Sequence, residues 1–478
     1  MTSADLIALS PLIVLTVAVV VLMLVIAIRR NHMAAAVCTL IGLAASFASL
    51  WFASSAAPHQ VTDLLVIDDY SLFYSGFLIL AAAAVILLAF SYIENRNEHK
   101  EEFYILILLA TLGTVVLASS RHFVSLFLGI EILSVSLYAL AGYLRAEPLR
   151  LEAGVKYLIL AATSSAFLLF GMALLYSETG SMDMASLSRV LMEGAPGRTG
   201  VELAGIALVA TGIGFKLAAV PFHLWTPDVY EGAPLPVTAF IASVSKGGVF
   251  ALLLRWFHSV SIHVGSPAWW AFAVMAVASM LAGNLLALQQ NNVKRLLAYS
   301  SIGHMGYLLV AFLAAGPFAV QAATYYLVAY ATTIVAGFGV LTVLSANGEE
   351  CCQLEDLKGL FWTKPVLAGT FAAILLSLAG IPLTAGFLGK FYVVSAAVSS
   401  ALWIPIFVLV VSSTIGIYYY LRVIVALFSA TGEGSATEQL RTPRAAAFSL
   451  AALLILIFVL GVYPGPLWSL IQGFTPAS

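Results

Sequence analysis

Apolar residues follow one another in long unbroken runs along nearly the whole chain, and short polar stretches separate them. A helix needs about 20 apolar residues to cross the hydrocarbon core of a bilayer. The runs are continuous rather than alternating, which excludes a membrane β-barrel. The pattern therefore predicts an all-α polytopic membrane protein with about fourteen transmembrane helices, near residues 6–28, 33–54, 70–93, 103–120, 123–143, 155–176, 201–222, 235–257, 268–289, 295–314, 318–346, 366–397, 402–428 and 445–463.

Composition agrees with a chain that lies in lipid. Of the 478 residues 62% are hydrophobic and 9% are charged, whereas soluble domains carry about 25% charged residues. The first apolar run is too long for a cleaved signal sequence and is interpreted as the first span. The three cysteines have no metal or Fe–S spacing, and no nucleotide-binding glycine motif occurs. We expect no cofactor, metal or nucleic acid on this chain.

Basic residues predict the orientation. With the loop after the first span on the cytoplasmic side, twelve basic loop residues fall inside: Arg29, Arg30, Arg96, Lys100, Arg145, Arg150, Lys294, Arg295, Lys358, Lys364, Arg441 and Arg444. Four fall outside: Arg121, Arg189, Arg198 and Arg255. This asymmetry follows the positive-inside rule and predicts that both termini lie on the non-cytoplasmic side, which in a bacterial inner membrane is the periplasm.

Five of the 21 basic residues are left within the predicted spans. Four are lysines (Lys156, Lys216, Lys246 and Lys390), while Arg422 is close enough to a helix end to reach the interface. A charge near the bilayer centre costs at least about 2.5–3.5 kcal/mol. Arginine keeps its proton under essentially all conditions, whereas lysine removed from water can release it. The alternative is a structural role, which has most weight for Lys156 near the start of its span.

Three further titratable residues lie in or at the edge of spans: Glu131, His223 and His304. A glutamate and a lysine whose separation changes could act as a switch, because the lysine tends to release its proton when the pair opens. Together these seven residues favour proton transfer across the membrane as the function.

Two of the predicted spans look broken. Gly212, Gly214 and Pro221 surround Lys216, and a second cluster with Pro382 precedes Lys390. Proline interrupts a helix, and irregular backbone at membrane depth persists only where it is buried in protein or lines water. Glycine and proline are also common in ordinary membrane helices.

The breaks fall in spans 7 and 12, which predicts two inverted five-helix repeats in helices 4–8 and 9–13. The corresponding divisions are 1–102, with three N-terminal helices, 103–258 and 259–430, with the two repeats, and 431–478, with the last helix.

Two long motifs are similar to a known family. The stretch G-F-K-L-A-A-V-P-F-H-L-W-T-P-D-V-Y-E-G-A-P-L-P-V-T-A-F, then S-V-S-K-G-G, resembles the core of the antiporter-like membrane subunits of respiratory complex I. So does N-L-L-A-L-Q-Q-N-N-V-K-R-L-L-A-Y-S-S-I-G-H-M-G-Y from Asn284. These subunits occur as L, M and N types. The sequence around Lys390 and the stretch W-T-P-D-V-Y-E-G-A-P are most similar to the N type of NADH–quinone oxidoreductase.

The resemblance implies roles for the residues singled out above. Glu131 and Lys216 would form an ion pair, Lys246 would be the central relay group, and Lys390 would lie toward the periplasmic exit. Lys156, His223 and His304 would be auxiliary relay members. The implied function is proton translocation driven by quinone reduction elsewhere, with NADH, flavin, Fe–S clusters and quinone held by other subunits. The implied partners are other membrane-arm subunits, including a second antiporter-like subunit, and the lipid bilayer.

Three alternatives remain open at this point. A subunit of a multisubunit Na⁺/H⁺ antiporter shares the motif and differs in the ion gradient that its activity follows. A scaffold that has lost pumping would have no need for buried charge. A quinone- or haem-binding redox subunit would need a suitably placed pair of intramembrane histidines, which the sequence lacks.

Overall fold

The computed structural model describes residues 2–96, 99–145, 147–186, 200–259, 265–314, 316–346, 350–430 and 443–474. Within these ranges thirteen helices are long and apolar enough to cross a membrane. Two shorter apolar helices, Pro365–Ala379 and Ala385–Ser399, follow one another in the chain. Counted as one interrupted span, they bring the total to the fourteen predicted, and the polytopic helical fold is confirmed.

The helices begin and end close to the predicted boundaries. In chain order they are α1 (Ser3–Ala8), α2 (Ser10–Ile28), α3 (His32–Ser54), α4 (Asp69–Glu94), α5 (Glu102–Ser119), α6 (Phe123–Ala141), α7 (Pro148–Thr179), α8 (Gly200–Leu217), α9 (Trp225–Gly232), α10 (Leu235–Phe240), α11 (Lys246–Ser259), α12 (Pro267–Ala287), α13 (Val293–Leu313), α14 (Pro317–Leu344), α15 (Leu360–Thr363), α16 (Pro365–Ala379), α17 (Ala385–Ser399), α18 (Trp403–Phe428), α19 (Arg444–Val462) and α20 (Gly465–Gln472). A π-helical turn, Ile241–Ser245, joins α10 to α11, so that this span runs without interruption.

The hydrophobic pattern did not predict the short helices α9, α15 and α20, nor a short antiparallel hairpin. Its strands are β1 (His59–Val61) and β2 (Leu65–Ile67), paired with His59 opposite Ile67. The hairpin lies between α3 and α4, where the loop is too short and polar to give a periodic signal. The longest predicted loop, 177–200, lies largely outside the described residues.

The span formed by α10 and α11 and the helix α14 lie at the centre of the bundle. The most apolar stretch of each is entirely buried inside the chain, and that of α13 is 89% buried. The corresponding fractions are 33% for α2 and 28% for α19, which lie at the periphery. Lys246 and His304 lie on these central helices, where neighbouring helices surround them.

Glycines allow close contact in two helix pairs. A Cβ on Gly113 of α5 would lie 2.7 Å from the backbone nitrogen of Leu133 on α6. Likewise a Cβ on Gly283 of α12 would lie 2.5 Å from the backbone nitrogen of Gly303 on α13. These pairs are the first two helices of each predicted repeat. The inverted repeat and the four-part division remain predictions, and the division at residue 431 lies outside the described residues.

Both broken spans contain strained backbone. After α8 the chain turns at Ala218, with φ of 60°, and between α16 and α17 it turns at Leu383, with φ of 74°. Left-handed conformations are costly for residues with a side chain and persist where the surroundings enforce them. The breaks thus lie beside Lys216 and Lys390, as the sequence predicts.

Three cations that the orientation argument counted as loop residues are buried and paired with carboxylates. Arg255 on α11 donates to both oxygens of Asp68, at 2.9 and 2.6 Å. Asp68 is the N-cap residue of α4, so this ion pair joins the start of α4 to α11. Arg150 on α7 and Lys294 on α13 both bind Glu350, at 3.2 and 2.7 Å. The orientation itself remains a prediction, and Arg189, Arg198 and Arg441 lie outside the described residues.

Glu350 ties several helices together after the end of α14. Besides the two cations, it accepts a hydrogen bond from Tyr92 of α4. Burial by itself would raise the pKa of this carboxyl, but Lys294 and Arg150 outweigh it and hold the pKa at about 2. Because the folded pKa lies below the ordinary value of 4.5, Glu350 stabilises the fold fully above about pH 4.5, and this contribution is lost as the pH falls toward 2.

We therefore predict that Glu350→Gln lowers the free energy of unfolding at neutral pH by about 3–5 kcal/mol, because it leaves buried Lys294 without its counter-charge and Arg150 with only the half-exposed Glu147. Thermal unfolding in detergent at pH 7 and at lower pH is the measurement. Glu355→Gln, at an exposed ion pair with Lys358, is the matched control and should change stability by at most about 1 kcal/mol. Equal effects of the two variants would contradict the assignment.

Candidate functional site

The first part of the site contains Glu131 on α6 and Lys216 at the end of α8. The Lys216 ammonium donates to the hydroxyl of Ser134 at 2.6 Å. Glu131 accepts from the hydroxyl of Ser165 on α7 at 2.6 Å. Within the described part of the chain the two charged groups form no contact within 4.0 Å, so the direct ion pair implied by the resemblance is open in this structure. A serine hydroxyl lies against each of them instead.

The second part surrounds Lys246, which is 1% exposed. It follows directly after the π-helical turn, a feature frequently found at functional sites. Its ammonium donates to the hydroxyl of Ser301 on α13 at 2.7 Å, and the Ser301 hydroxyl is bonded to that of Tyr330 on α14 at 2.6 Å. Three helices therefore place an amine, an alcohol and a phenol in one continuous hydrogen-bonded chain.

His304 lies one turn after Ser301 on α13, beside the end of that chain. Its ring centroid is 5.1 Å from that of Tyr330. Its two nitrogens contact the phenols of Tyr326, at 2.6 Å, and Tyr420, at 3.3 Å. His304 is thereby connected through hydroxyl-bearing side chains both to α14 and to α18.

Lys390 lies on α17, shortly after the second break, and binds the backbone that the break exposes. Its ammonium donates to the carbonyls of Leu378 and Ala379, at 3.0 and 2.9 Å, in the last turn of α16. The end of a helix carries unpaired carbonyls and partial negative charge, which favours a cation there. A third bond goes to the hydroxyl of Ser413 on α18 at 2.9 Å.

An aromatic ring joins Lys390 to the histidine region. The Lys390 ammonium lies 5.2 Å from the ring centroid of Tyr307, and the ring of Tyr307 lies 5.5 Å from that of His304. One succession of polar contacts and ring contacts thus passes through the core, formed in order by Lys246, Ser301, Tyr330, His304, Tyr307 and Lys390.

Lys216 and Lys246 are not joined by hydrogen bonds in the same way. The Lys216 ammonium lies 6.0 Å from the ring of Tyr138 and the Lys246 ammonium 5.7 Å from that of Tyr230. Ring contacts through Tyr157 and Trp225 connect these two tyrosines. His223, in the first break, is 8% exposed, and its buried Nδ1 atom has no hydrogen-bond partner in the part of the chain that the structure describes. Buried polar atoms of this kind are usually hydrogen-bonded to an ordered water molecule.

Lys156 lies apart from these residues. Its side chain is 42% exposed at the outer face of α7 and pairs with Glu152 at 2.7 Å and Asp228 at 2.8 Å. Asp228 also pairs with Arg295 at the start of α13. The structure therefore brings Lys216, Lys246, His304 and Lys390 into the core but leaves Lys156 in a partly exposed charged network, an arrangement that a structural lysine would also adopt.

Comparison with known proteins agrees with this arrangement. Residues 120–416 match the family described as NADH:quinone oxidoreductase/Mrp antiporter, TM. One similar solved structure is respiratory complex I from Thermus thermophilus with bound aureothin, with 34% identity, 96% of this chain and 98% of that chain covered, and a TM-score of 0.81. The chain belongs to the NADH:quinone oxidoreductase/Mrp antiporter membrane family.

Two further structures are similar over nearly the whole length. The membrane-bound sulfane sulfur reductase, an archaeal respiratory membrane complex, matches with 26% identity, 98% and 96% coverage of the two chains and a TM-score of 0.83. The Mrp complex from Dietzia sp. DQ12-45-1b matches with 21% identity, 99% and 97% coverage and a TM-score of 0.84. At 21% identity, the similarity to the Mrp complex shows the fold alone. Members of this fold are thus found in several multisubunit membrane complexes.

Several polar residues of the site were not predicted from the sequence. Tyr326 and Tyr330 are four residues apart on α14 and so share one face of a helix, a signal that their spacing in an otherwise apolar span could have given. Ser165, which binds Glu131, and Ser413, which binds Lys390, carry no such signal. A serine in a membrane helix is usually a packing residue, and only the fold places these two against charged groups.

The Ser301 bridge gives a direct test of the hydrogen-bonded chain. We predict that Ser301→Ala slows proton uptake by about 10-fold or more in the reconstituted membrane complex that contains this chain, because the hydroxyl between Lys246 and Tyr330 is lost. Ser301→Thr, which keeps the hydroxyl, should restore most of the rate.

The matched control is Ser46→Ala, which removes another buried hydroxyl, bonded to the Pro11 carbonyl far from the site. Proton uptake is followed with a pH-sensitive dye in vesicles, and thermal stability is measured in parallel. Equal proton uptake by the Ser301→Ala and Ser46→Ala variants would show that the Ser301 hydroxyl serves only in helix packing.

Proposed function

We propose that the chain is a proton-translocating, non-redox membrane subunit of an NADH–quinone oxidoreductase, of the N type. Quinone reduction in other subunits drives proton transfer through Lys216, Lys246, His304 and Lys390. The redox cofactors lie in those other subunits, and a second antiporter-like subunit is a neighbour in the membrane. The 34% identity to the Thermus complex I chain over nearly its whole length supports the assignment.

The observation that carries the proposal is the chemistry of the partners of the buried lysines. Among the described residues, Lys246 and Lys390 bond only to neutral hydroxyls and carbonyls. Arg150, Lys294 and Arg255, buried in the same chain, each have a carboxylate. A lysine held by neutral groups can release its proton without leaving an unpaired buried anion, whereas a lysine paired with a carboxylate cannot.

The mechanism follows from the open arrangement of Glu131 and Lys216. A change in a neighbouring subunit alters the separation of the two, and the ammonium is stabilised when the carboxylate approaches. When they part, Lys216 passes its proton toward Lys246, which is bonded to Ser301. The proton moves on past Tyr330 and His304 to Lys390, near the predicted periplasmic side.

A subunit of a multisubunit Na⁺/H⁺ antiporter is the second candidate, because the family to which the chain belongs includes the Mrp antiporters. The two candidates use the same buried relay and differ in the source of free energy. Proton movement that follows an imposed Na⁺ gradient, and not NADH oxidation, would favour the antiporter.

We predict that Lys246→Ala in the assembled complex lowers proton uptake per unit time by at least about 10-fold, because the relay loses the amine at its centre. Electron flow from NADH to quinone and proton uptake are measured separately in proteoliposomes. Lys358→Ala, which removes an exposed lysine, is the control and should retain both. Full pumping by an intact Lys246→Ala assembly would contradict the proposal.

A further inference from the structure

Asn284 is a buried amide side chain on α12 that has no part in the relay described above. The second of the two sequence motifs begins with it, and it is 2% exposed. Glycines on two neighbouring helices leave room for it. A Cβ on Gly303 of α13 would lie 2.8 Å from the amide nitrogen, and a Cβ on Gly416 of α18 would lie 3.2 Å from the amide oxygen. Both neighbouring helices are therefore fitted closely around this amide.

The hydrogen bonds of Asn284 fix the orientation of its amide group. The nitrogen donates to the carbonyl of Met280 at 2.8 Å and to the hydroxyl of Tyr307 at 3.1 Å. The oxygen accepts from the hydroxyl of Tyr419 on α18 at 3.0 Å. A backbone carbonyl accepts hydrogen bonds and does not donate them, so the reversed amide would set two oxygens against each other at Met280. The nitrogen therefore faces Tyr307, and the oxygen faces Tyr419.

The oxygen side of the amide leads to His304. The ring centroids of Tyr419 and Tyr420 are 4.4 Å apart, and their hydroxyls interact. The Tyr420 hydroxyl contacts Nε2 of His304 at 3.3 Å and is also bonded to the hydroxyl of Ser300. Because hydroxyls both donate and accept, a proton at His304 has a connected path as far as the oxygen of Asn284.

The nitrogen side of the amide leads to Lys390. The Tyr307 hydroxyl accepts from Ser412 at 3.3 Å and is close enough to interact with the hydroxyl of Ser413. Ser413 in turn accepts from the Lys390 ammonium at 2.9 Å. Hydroxyl groups therefore connect the nitrogen of Asn284 to Lys390.

Asn284 differs in its chemistry from the rest of this series. Every other member between His304 and Lys390 carries a hydroxyl, which exchanges its donor and acceptor roles by rotation. The amide nitrogen has no lone pair to accept with, and the amide oxygen has no hydrogen to give. Passing a proton from Tyr419 to Tyr307 would form an O–H bond on the amide and break an N–H bond. The product would be the imidic acid, a far less stable tautomer, so the series is interrupted at Asn284.

We propose that Asn284 is a positioning residue that keeps Lys390 and His304 from exchanging protons freely. It anchors the hydroxyls of Tyr307 and Tyr419, and it prevents a proton on Lys390 from returning to His304 along this series. The inference rests on the proposed function, in which the proton moves from His304 to Lys390. Forward transfer then depends on transient contacts beside the Tyr307 ring, because the amide interrupts the permanently connected route.

The first test replaces the amide with a group of nearly the same shape that passes protons. A carboxyl removed from water favours its neutral acid form, which both donates and accepts hydrogen bonds. In the reconstituted complex with Asn284→Asp, NADH oxidation should continue while fewer protons are taken up per NADH. The reason is that an opposing pH gradient drives protons back from Lys390 along the completed series. Electron flow and proton uptake are measured separately in proteoliposomes.

Asn284→Leu is the matched control, because it removes the same hydrogen bonds and passes no protons. It should lower thermal stability, since buried partners lose their hydrogen bonds, but it should keep the ratio of protons to NADH. A purely structural amide predicts the opposite order, because Asp retains the shape and some of the hydrogen bonds. A ratio that is unchanged in Asn284→Asp, or that falls as far in Asn284→Leu, would overturn the proposal.

The second test interrupts the series again at a different residue. Tyr419→Phe keeps the ring and removes the hydroxyl that faces the amide oxygen. By itself it should keep the ratio of protons to NADH, because the series is already interrupted at Asn284. Combined with Asn284→Asp, it should restore the ratio. A combined variant that takes up as few protons per NADH as Asn284→Asp alone would show that this variant acts by damaging the packing, and the proposal would be wrong.

The Lys246→Ala variant, measured in the same preparation, separates this inference from the proposed function. If Lys246→Ala lowers proton uptake and Asn284→Asp keeps the ratio of protons to NADH, the role of Asn284 is wrong and the relay stands. If Lys246→Ala has no effect, the relay is wrong and Asn284 loses its role with it. Loss of uptake in Lys246→Ala, a lower ratio in Asn284→Asp and its recovery with Tyr419→Phe support both.

Discussion

The cost of placing a cation in hydrocarbon determines the organisation of this protein. An uncompensated buried charge costs several kcal/mol, and the chain meets that cost in two ways. Arg255 and the two cations around Glu350 are paired with carboxylates and hold helices together. The lysines of the relay are held by hydroxyls and carbonyls, which solvate an ammonium and also tolerate a neutral amine. The first arrangement favours a fixed charge, and the second allows the charge to change.

The helix breaks provide part of this neutral solvation. Interrupting α16 frees carbonyls that the bilayer could not satisfy, and the ammonium of Lys390 binds two of them. After α8 the carbonyl of Phe215 accepts from the amide of Ala218 and from the indole of Trp225, both at 3.0 Å. At the second break the helix end and the buried lysine thus satisfy each other. The strained backbone at Ala218 and Leu383 is held by the surrounding helices.

Hydroxyl groups connect the titratable residues because they both donate and accept hydrogen bonds. Ser301 joins Lys246 to Tyr330, and four tyrosines surround His304 on α13. Between Lys216 and Lys246 the succession changes to aromatic rings, with buried polar atoms such as Nδ1 of His223 that require water. In the proposed mechanism, a change in hydration would affect proton transfer most in the region between Lys216 and Lys246, because few hydrogen bonds between protein groups connect these two lysines.

The sequence by itself determined the membrane class, the fourteen spans, the two breaks and the depth of Lys216, Lys246, His304 and Lys390. These follow from local properties: the length of an apolar run, the missing amide hydrogen of proline, and the rarity of charge among apolar residues. Only the tertiary structure decided which cations are paired and which are not. The sequence predicted Lys294 in a loop and Lys246 within a span, yet both are buried, and Glu350 lies against the first and Ser301 against the second. That difference depends on which helices pack together, and packing brings together residues that are far apart in the chain.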